Sequence, residues 1–300
     1  MSDNRKKFTV YANCQSRALA LTLNENKEFA SKYKLTPIQA IQTLKNQDYK
    51  KILPIVQNTD LFIHQPIAQT NSRPSELTSA HLAEQIHKNA QRISFPSLYF
   101  DGYFPHLKTF NRINSVLNLV HDYFIAYLYA TGRDQLETLQ IIHRSKLYPK
   151  ALSEGLLERS LQNLQQREKA ENTDIQVTDF IKENYKKEKL FFQFNHPNRT
   201  VLNYIAESIM KQIGIDDYRL PKKGPQRLNG IIAPVYKSTY RNLNLEFDEY
   251  FRRYKSGDQR LDQTKVIAAF YKEYESLDKK VMIDQIKEAK PFVARLIDRL

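Results

Sequence analysis

The chain begins with an apolar run that is followed by an amphipathic segment. Residues 8–12 are rich in β-forming side chains, residues 13–16 are polar, and residues 15–23 are rich in Ala and Leu. A short apolar run, a polar turn and an amphipathic segment are typical of a strand, a loop and a helix in succession. The pattern therefore predicts a strand that is followed at once by a helix.

Strand-like and helix-like patterns then alternate through the first hundred residues. The pattern predicts helices over 26–33, 37–46 and 79–89 and strands over 59–64 and 92–100. Strands that alternate with helices form a parallel sheet, and the carboxyl ends of its strands meet at one edge. We therefore expect Cys14, His64, Gln65 and residues 101–106 to lie at this edge.

After residue 108 the pattern is mainly helical. Apolar side chains recur at helical spacing from Phe110 to Leu128. Further helices are predicted over 135–143, 153–171 and 201–213, and the run 190–194 predicts a short strand that returns to the sheet. We therefore expect a helix-rich α/β protein: a small parallel sheet in a Rossmann or SGNH-like core, with a large helical elaboration.

This pattern divides the chain into three regions. The α/β core that carries the site is predicted to comprise 1–107 together with 189–215, and 108–188 is a helical insertion. Residues 216–300 are a C-terminal loop and helices that pack on the core. Pro and Gly punctuate 216–234, which marks that stretch as a loop.

Composition and charge limit the classes of partner and of function that the protein can have. A net charge of +13 indicates an anionic partner. The chain has only seven glycines and lacks both G-x-G-x-x-G and G-x-x-x-x-G-K-[ST], which argues against the common nucleotide-binding loops. No apolar run approaches the roughly 18 residues that span a bilayer. We therefore expect a cytoplasmic protein, either free or at an anionic membrane surface.

Cys14 is the only cysteine, so the chain can form neither an internal disulfide nor a multi-cysteine zinc site. No set of His, Asp or Glu has the spacing of metal ligands, and no metal is expected. Between a strand and the first turn of a helix, a thiol lies near unpaired N–H groups and the positive end of the helix dipole. That environment favours a thiolate nucleophile. The alternative is a buried cysteine that packs as a small apolar residue.

Several segments, taken in order, resemble one family. They are Asn13-Cys14-Gln15-Ser16, Asp60…Gln65-Pro66, Phe95-Pro96…Phe100-Asp101-Gly102-Tyr103, Arg167-Glu168…Asp174-Ile175…Phe180-Ile181 and Leu190-Phe191-Phe192…Asn195-His196-Pro197. The succession resembles the WcbI-type polysaccharide-biosynthesis acetyltransferases over most of the chain, to about residue 275. In that family a histidine often precedes the proline after Gly-Tyr, whereas here Phe104 takes that position and His106 follows Pro105.

The resemblance implies an enzyme that moves an acetyl group from acetyl-coenzyme A to a sugar hydroxyl in capsular or other surface polysaccharide. The acceptor would be a glycan, a nucleotide sugar or a lipid-linked sugar, and no nucleic acid is expected as a partner. Cys14 would be the nucleophile and His196 the general base. Oxyanion or orienting roles would fall to Asn13, Gln15, Ser16 and Gln65. The candidates for coenzyme A binding are Arg17, Tyr103, Phe104, His106, Asn195, Arg199, Lys222 and Lys223.

Alternatives remain open from the residues alone. His196 could deprotonate the sugar for direct attack on the thioester, and His64 or His106 could serve as the base instead. With water as the acceptor, the protein would be a cysteine-dependent esterase or thioesterase. The Tyr/Lys/Arg-rich stretch 236–274 is compatible with a non-enzymatic protein that binds nucleic acid or an anionic glycan, although no nucleic-acid-binding motif accompanies it.

Overall fold

The structure is a computed structural model that describes residues 3–71, 73–110, 113–249, 251 and 253–300. Tyr250 and Arg252, which belong to the Tyr/Lys/Arg-rich stretch, lie outside the described residues. Within the described ranges, no helix is both long enough and apolar enough to cross a bilayer.

The strands and helices are numbered in chain order. The strands are β1 (Lys6–Tyr11), β2 (Tyr33–Leu35), β3 (Leu61–His64), β4 (Gln91–Ser94), β5 (Leu107–Thr109), β6 (Val120–Asp122), β7 (Phe191–Gln193), β8 (His196–Pro197), β9 (Ile231–Ile232), β10 (Arg253–Ser256) and β11 (Gln259–Asp262). The helices are α1 (Gln15–Leu23), α2 (Lys27–Lys32), α3 (Tyr49–Gln57), α4 (Ser79–Glu84), α5 (Tyr123–Ala130), α6 (Gln135–Ile142), α7 (Lys150–Ala170), α8 (Thr178–Asn184), α9 (Arg199–Gln212), α10 (Lys237–Asn242), α11 (Gln263–Tyr274), α12 (Lys279–Ala289) and α13 (Pro291–Ile297).

The chain forms two compact units. The first comprises Met1–Leu98, Asn163–Lys182 and Pro197–Leu228. The second comprises Tyr99–Gln162, Glu183–His196 and Asn229–Leu300. The predicted regions divide the chain differently, because residues 163–182 return to the unit that contains the sheet while residues 99–107 and 189–196 leave it.

A four-stranded parallel sheet forms the centre of the first unit, in the order β2-β1-β3-β4. Thr9 is opposite Phe62, and Ile63 is opposite Ile93. In the two central strands, β3 is buried throughout and β1 is buried from Phe8 to Tyr11, as expected of a parallel sheet that is covered on both faces. Helix α1 leaves the carboxyl end of β1 and packs against α9. The structure thus confirms the helix-rich α/β class and the predicted strand–turn–helix at the start of the chain.

Helices and aromatic side chains build the second unit. Helix α5 is apolar on nearly all sides and is surrounded by α6, α11, α12 and α13. Asp122 caps its N-terminus, because Oδ1 accepts hydrogen bonds from the N–H groups of Phe124 at 3.0 Å and Ile125 at 3.3 Å. Two small antiparallel sheets, β5-β6 and β11-β10-β9, lie in the same unit.

Three predicted elements differ from the structure. The helix predicted from Phe110 begins only at Tyr123, because β6 precedes it and Asn118 adopts a left-handed backbone with φ of 63°. The strand predicted over 190–194 does not join the parallel sheet and instead pairs β7 with β8. The predicted helix over 37–46 is replaced by short 3-10 turns at Ile41–Thr43 and Asn46–Asp48.

Candidate active site

Cys14 is the N-cap residue of α1, three residues after β1 ends, and its side chain is half-buried. The side chain of the preceding residue, Asn13, organises the turn. Its Oδ1 accepts a hydrogen bond from the Gln15 N–H at 3.0 Å and lies 3.9 Å from Sγ of Cys14. The backbone oxygen of Asn13 accepts from the Ser16 N–H at 2.9 Å. The N–H groups of Gln15 and Ser16 are therefore already engaged by Asn13.

Two buried glutamine amides join this turn to the neighbouring strand end. Gln65 lies just after β3, and its Oε1 accepts from the Asn13 N–H at 3.1 Å. Its Nε2 donates to Oε1 of Gln15 at 2.7 Å, and Nε2 of Gln15 donates to the backbone oxygen of Leu98 at 3.1 Å. Both glutamine side chains are fully buried. This chain of amides fixes the backbone that carries the thiol.

The environment of Cys14 favours the protonated thiol in the free protein. Burial raises the pKa of Cys14, and its own backbone N–H opposes this shift as the smaller effect. The position of Cys14 in the sequence predicts a thiolate, but desolvation outweighs the stabilisation of the thiolate by the helix start.

His64 lies at the same edge of the sheet, at the end of β3. Burial lowers its pKa to about 4, so the ring is neutral at physiological pH. Its Nδ1 lies 3.2 Å from the Gln65 oxygen, and the ring stacks on Phe62 with centroids 5.1 Å apart. These contacts indicate a packing role.

Arg199 holds a loop in place. Its side chain is buried, and its guanidinium donates to both carboxylate oxygens of Glu25 and to the backbone oxygens of Pro221 and Pro225. These bonds lower the pKa of Glu25, with the Arg199 hydrogen bond as the largest cause. A Cβ on Gly224 would lie 2.5 Å from Cζ of Arg199, so a larger residue does not fit there without movement. The predicted phosphate ligand therefore has its donors engaged within the protein.

The other predicted cations of the first unit are exposed. Lys222 and Lys223 lie on the loop that Arg199 holds, and Arg17 lies on the first turn of α1. Glu25, which pairs with Arg199, follows the C-terminal end of α1. The loop therefore meets α1 at the end opposite Cys14. A rise of 1.5 Å per residue places these ends about 15 Å apart.

Two further segments of the family resemblance support the backbone of the first unit. Glu168 is buried, and its Oε1 accepts hydrogen bonds from the N–H groups of Val177 at 2.6 Å and Thr178 at 3.0 Å. Asp174 Oδ2 accepts from both the N–H and the hydroxyl of Ser94 at 2.7 Å. Both carboxylates thus bond to backbone N–H and hydroxyl groups of the first unit.

Three predicted cofactor residues are buried in the second unit. The hydroxyl of Tyr103 donates to the backbone oxygens of Tyr185 and Glu188, and Phe104 packs edge-on against the Tyr103 ring. The ring of His106 stacks on the ring of Tyr236, and burial lowers the pKa of His106 well below the usual value. These contacts assign the three side chains to the interior of the unit.

His196 also belongs to the second unit, where it begins β8 and is partly exposed. Nε2 of Gln193 lies 3.0 Å from its Nδ1. Asn195 precedes it in the turn between β7 and β8 and is partly exposed as well. Gln193 is not among the site residues predicted from the sequence, although a polar residue at the end of an apolar run, three positions before a histidine, was the available signal.

The fold and the site define a helix-rich α/β protein with its only cysteine beside the carboxyl edge of a four-stranded parallel sheet. The sequence model of the family described as "Polysaccharide biosynthesis enzyme WcbI" matches residues 7–218. The chain therefore belongs to the WcbI family of polysaccharide biosynthesis enzymes, which confirms the predicted family and the prediction of an enzyme.

The fold is similar to a solved structure of WcbI. The TM-score is 0.87 with 22% sequence identity, over 99% of this chain and 99% of that chain. That structure is described as the native protein without a disulfide bond between coenzyme A and its own Cys14. At this identity the likeness concerns the fold. Among curated proteins, none matches the chain in sequence.

Proposed function

We propose that the protein is an acetyltransferase that moves an acetyl group from acetyl-coenzyme A to a sugar hydroxyl in polysaccharide biosynthesis. Cys14 is the nucleophile and His196 the general base. The observation that carries the proposal is the half-buried Cys14 thiol, held beside the carboxyl edge of the sheet by Asn13, Gln15 and Gln65. The description of the WcbI structure supports coenzyme A as the partner of this thiol, because it names a disulfide between coenzyme A and a cysteine.

The proposed reaction has two halves. The Cys14 sulfur attacks the thioester carbonyl, and the acetyl group passes to Sγ as the bond to the coenzyme A sulfur breaks. His196 takes the thiol proton and returns it to the departing thiolate. In the second half His196 takes the proton of the sugar hydroxyl, whose oxygen attacks acetyl-Cys14, and the proton then returns to Sγ. The raised pKa of the Cys14 thiol supports a base that acts in both halves.

We assign Asn13, Gln15, Ser16 and Gln65 to the orienting role. The N–H groups of Gln15 and Ser16 already donate to Asn13, and the two glutamine amides bond to each other. Direct contact with an oxyanion would break these bonds. Their contribution is to hold Sγ in one position, which lowers the entropy cost of attack.

The exposed cations of the first unit are the proposed ligands of the coenzyme A phosphates. Arg17 lies one turn along α1 from Cys14, and Lys222 and Lys223 lie on the loop at the far end of that helix. Cations at these positions fit an elongated thioester whose phosphates are remote from its sulfur. Arg199 contributes indirectly, because it holds the loop. Asn195 remains a candidate beside His196.

Intact-protein mass spectrometry after incubation with acetyl-coenzyme A tests the proposal. We expect one added acetyl group on the wild-type chain and none on Cys14→Ala, whose thermal unfolding should be nearly unchanged. Release of the acetyl group to water, with no transfer to any sugar, would favour a thioesterase. Wild-type protein that neither becomes acetylated nor gains thermal stability at millimolar acetyl-coenzyme A would contradict the proposal.

A further inference from the structure

Gln193 and His196 close a tight turn in the second unit. Strand β7 ends at Gln193, β8 begins at His196, and residues 194–195 form the turn between them. Residues that close a two-residue turn are opposite each other on neighbouring strands, so their side chains lie on the same face. The distance of 3.0 Å between Nε2 of Gln193 and Nδ1 of His196 follows from this register.

The Gln193 amide is buried but uses only part of its hydrogen-bonding capacity. The residue is 3% exposed, and its Oε1 has no hydrogen-bond partner among the residues that the structure describes. An amide carries both an acceptor and two donors, so it can meet either form of a ring nitrogen. An N–H of the amide suits an Nδ1 lone pair. A half-turn of the same amide brings Oε1 to an Nδ1–H instead.

We propose that Gln193 is the positioning residue of the His196 base. With the amide turned by half a turn from the orientation in which Nε2 faces Nδ1, Oε1 accepts a hydrogen bond from Nδ1–H and leaves the lone pair of the neutral ring on Nε2. This inference rests on the proposed role of His196. A catalytic base is commonly oriented by a third group that bonds to its other nitrogen, and that bond decides which tautomer is present.

His196 must take up and release a proton twice in each catalytic cycle, and a neutral amide partner is suited to this task. A carboxylate at this position would stabilise the charged imidazolium and so hinder release of the proton. The neutral amide supplies orientation and tautomer without that extra charge.

The direct test is nuclear magnetic resonance of the full chain with 15N-labelled histidine. In the wild type we expect the neutral His196 ring to carry its proton on Nδ1. Gln193→Met keeps the side-chain length but removes the hydrogen bond. It should abolish this tautomer preference and lower kcat about 100-fold, with an unchanged KM for acetyl-coenzyme A. Gln193→Glu should keep a hydrogen bond to Nδ1–H and raise the pKa of His196 by about 1–3 units. The acid limb of the pH–rate profile then moves to higher pH.

Gln162→Met is the matched control, because the Gln162 amide donates to the exposed Glu158 on α7. It should leave the His196 resonances and the kinetics unchanged. A wild-type ring protonated on Nε2, or one tautomer and one pKa shared by wild type, Gln193→Met and Gln193→Glu, would overturn the inference.

These resonances do not depend on turnover. The expected tautomer in a protein that transfers no acetyl group would refute the proposed function and leave only the hydrogen bond between Gln193 and His196 standing. If Gln193→Met fails to fold, the wild-type tautomer and the Gln193→Glu titration decide the question.

Discussion

Replacing Arg199 with Ala tests whether this side chain supports the fold or contacts a ligand. Its guanidinium donates to Glu25 at 3.1 Å, to the Pro221 oxygen at 3.0 Å and to the Pro225 oxygen at 3.4 Å. The substitution removes a buried charge and leaves the two carbonyl groups without this donor. Glu25 keeps one cation, because Arg227 donates to its Oε1 at 2.6 Å.

The magnitude follows from burial and from the remaining partner. Breaking one side of a buried ion pair costs about 3–5 kcal/mol. The Glu25 side chain is 19% exposed and retains Arg227, which favours the lower end of that range. We therefore expect Arg199→Ala to lower the free energy of unfolding by about 3 kcal/mol. The corresponding fall in Tm is roughly 6–12 °C.

Thermal unfolding followed by circular dichroism measures this change, and titration calorimetry measures the affinity for coenzyme A. Arg17→Ala is the control for stability, because Arg17 is exposed on α1 and its loss should change the unfolding free energy by less than about 0.5 kcal/mol. An Arg199→Ala protein with an unchanged Tm and a lost affinity for coenzyme A would refute the reasoning, since Arg199 would then serve the ligand directly.

Three further predictions concern the site. Gln65→Leu removes the acceptor of the Asn13 N–H and one of the donors to Gln15 Oε1, so calorimetric unfolding should show a loss of about 2 kcal/mol; an unchanged Tm would mean that the amide chain does not hold the turn. Alkylation of Cys14 by iodoacetamide should reach half its maximal rate at a higher pH than alkylation of free cysteine, because only the thiolate reacts and burial raises the pKa of the thiol; a midpoint at or below that of free cysteine would contradict the assignment of a protonated thiol. Replacing both Lys222 and Lys223 with Glu should weaken coenzyme A binding at least about tenfold without changing Tm, because both side chains are exposed; equal affinities would move the phosphates elsewhere.

The local pattern of apolar and polar residues was sufficient to predict β1, α1, β3 and the long helix α7. Each is a continuous run with one period, and each occurs within a few residues of its predicted position. The helix predicted from Phe110 was wrong in its first part because the apolar residues fit helical spacing, whereas the backbone turns at Asn118 before β6. The spacing of apolar residues predicts which face of a helix would be buried, but it does not predict where the backbone dihedral angles stop being helical.

The candidate site was only partly predictable for the same kind of reason. Cys14 could be placed at the strand–helix junction because that junction is local. The bond between Gln15 and Gln65 joins residues fifty positions apart, and the role of Arg199 depends on Glu25. Such pairings arise from packing, and no spacing in one sequence reveals them. The burial of a side chain also arises from packing. Tyr103 is of a residue type that often contacts ligands, but its side chain lies inside the second unit.

The single cysteine has a consequence for redox chemistry. Peroxide converts a reactive thiolate to a sulfenic acid, and a second cysteine nearby usually traps that species as an internal disulfide. Cys14 has no such partner in this chain. Any disulfide at Cys14 therefore takes its second sulfur from another molecule, and its reduction requires an external thiol. Recovery of Cys14 from oxidation to a disulfide consequently depends on thiols that other molecules supply.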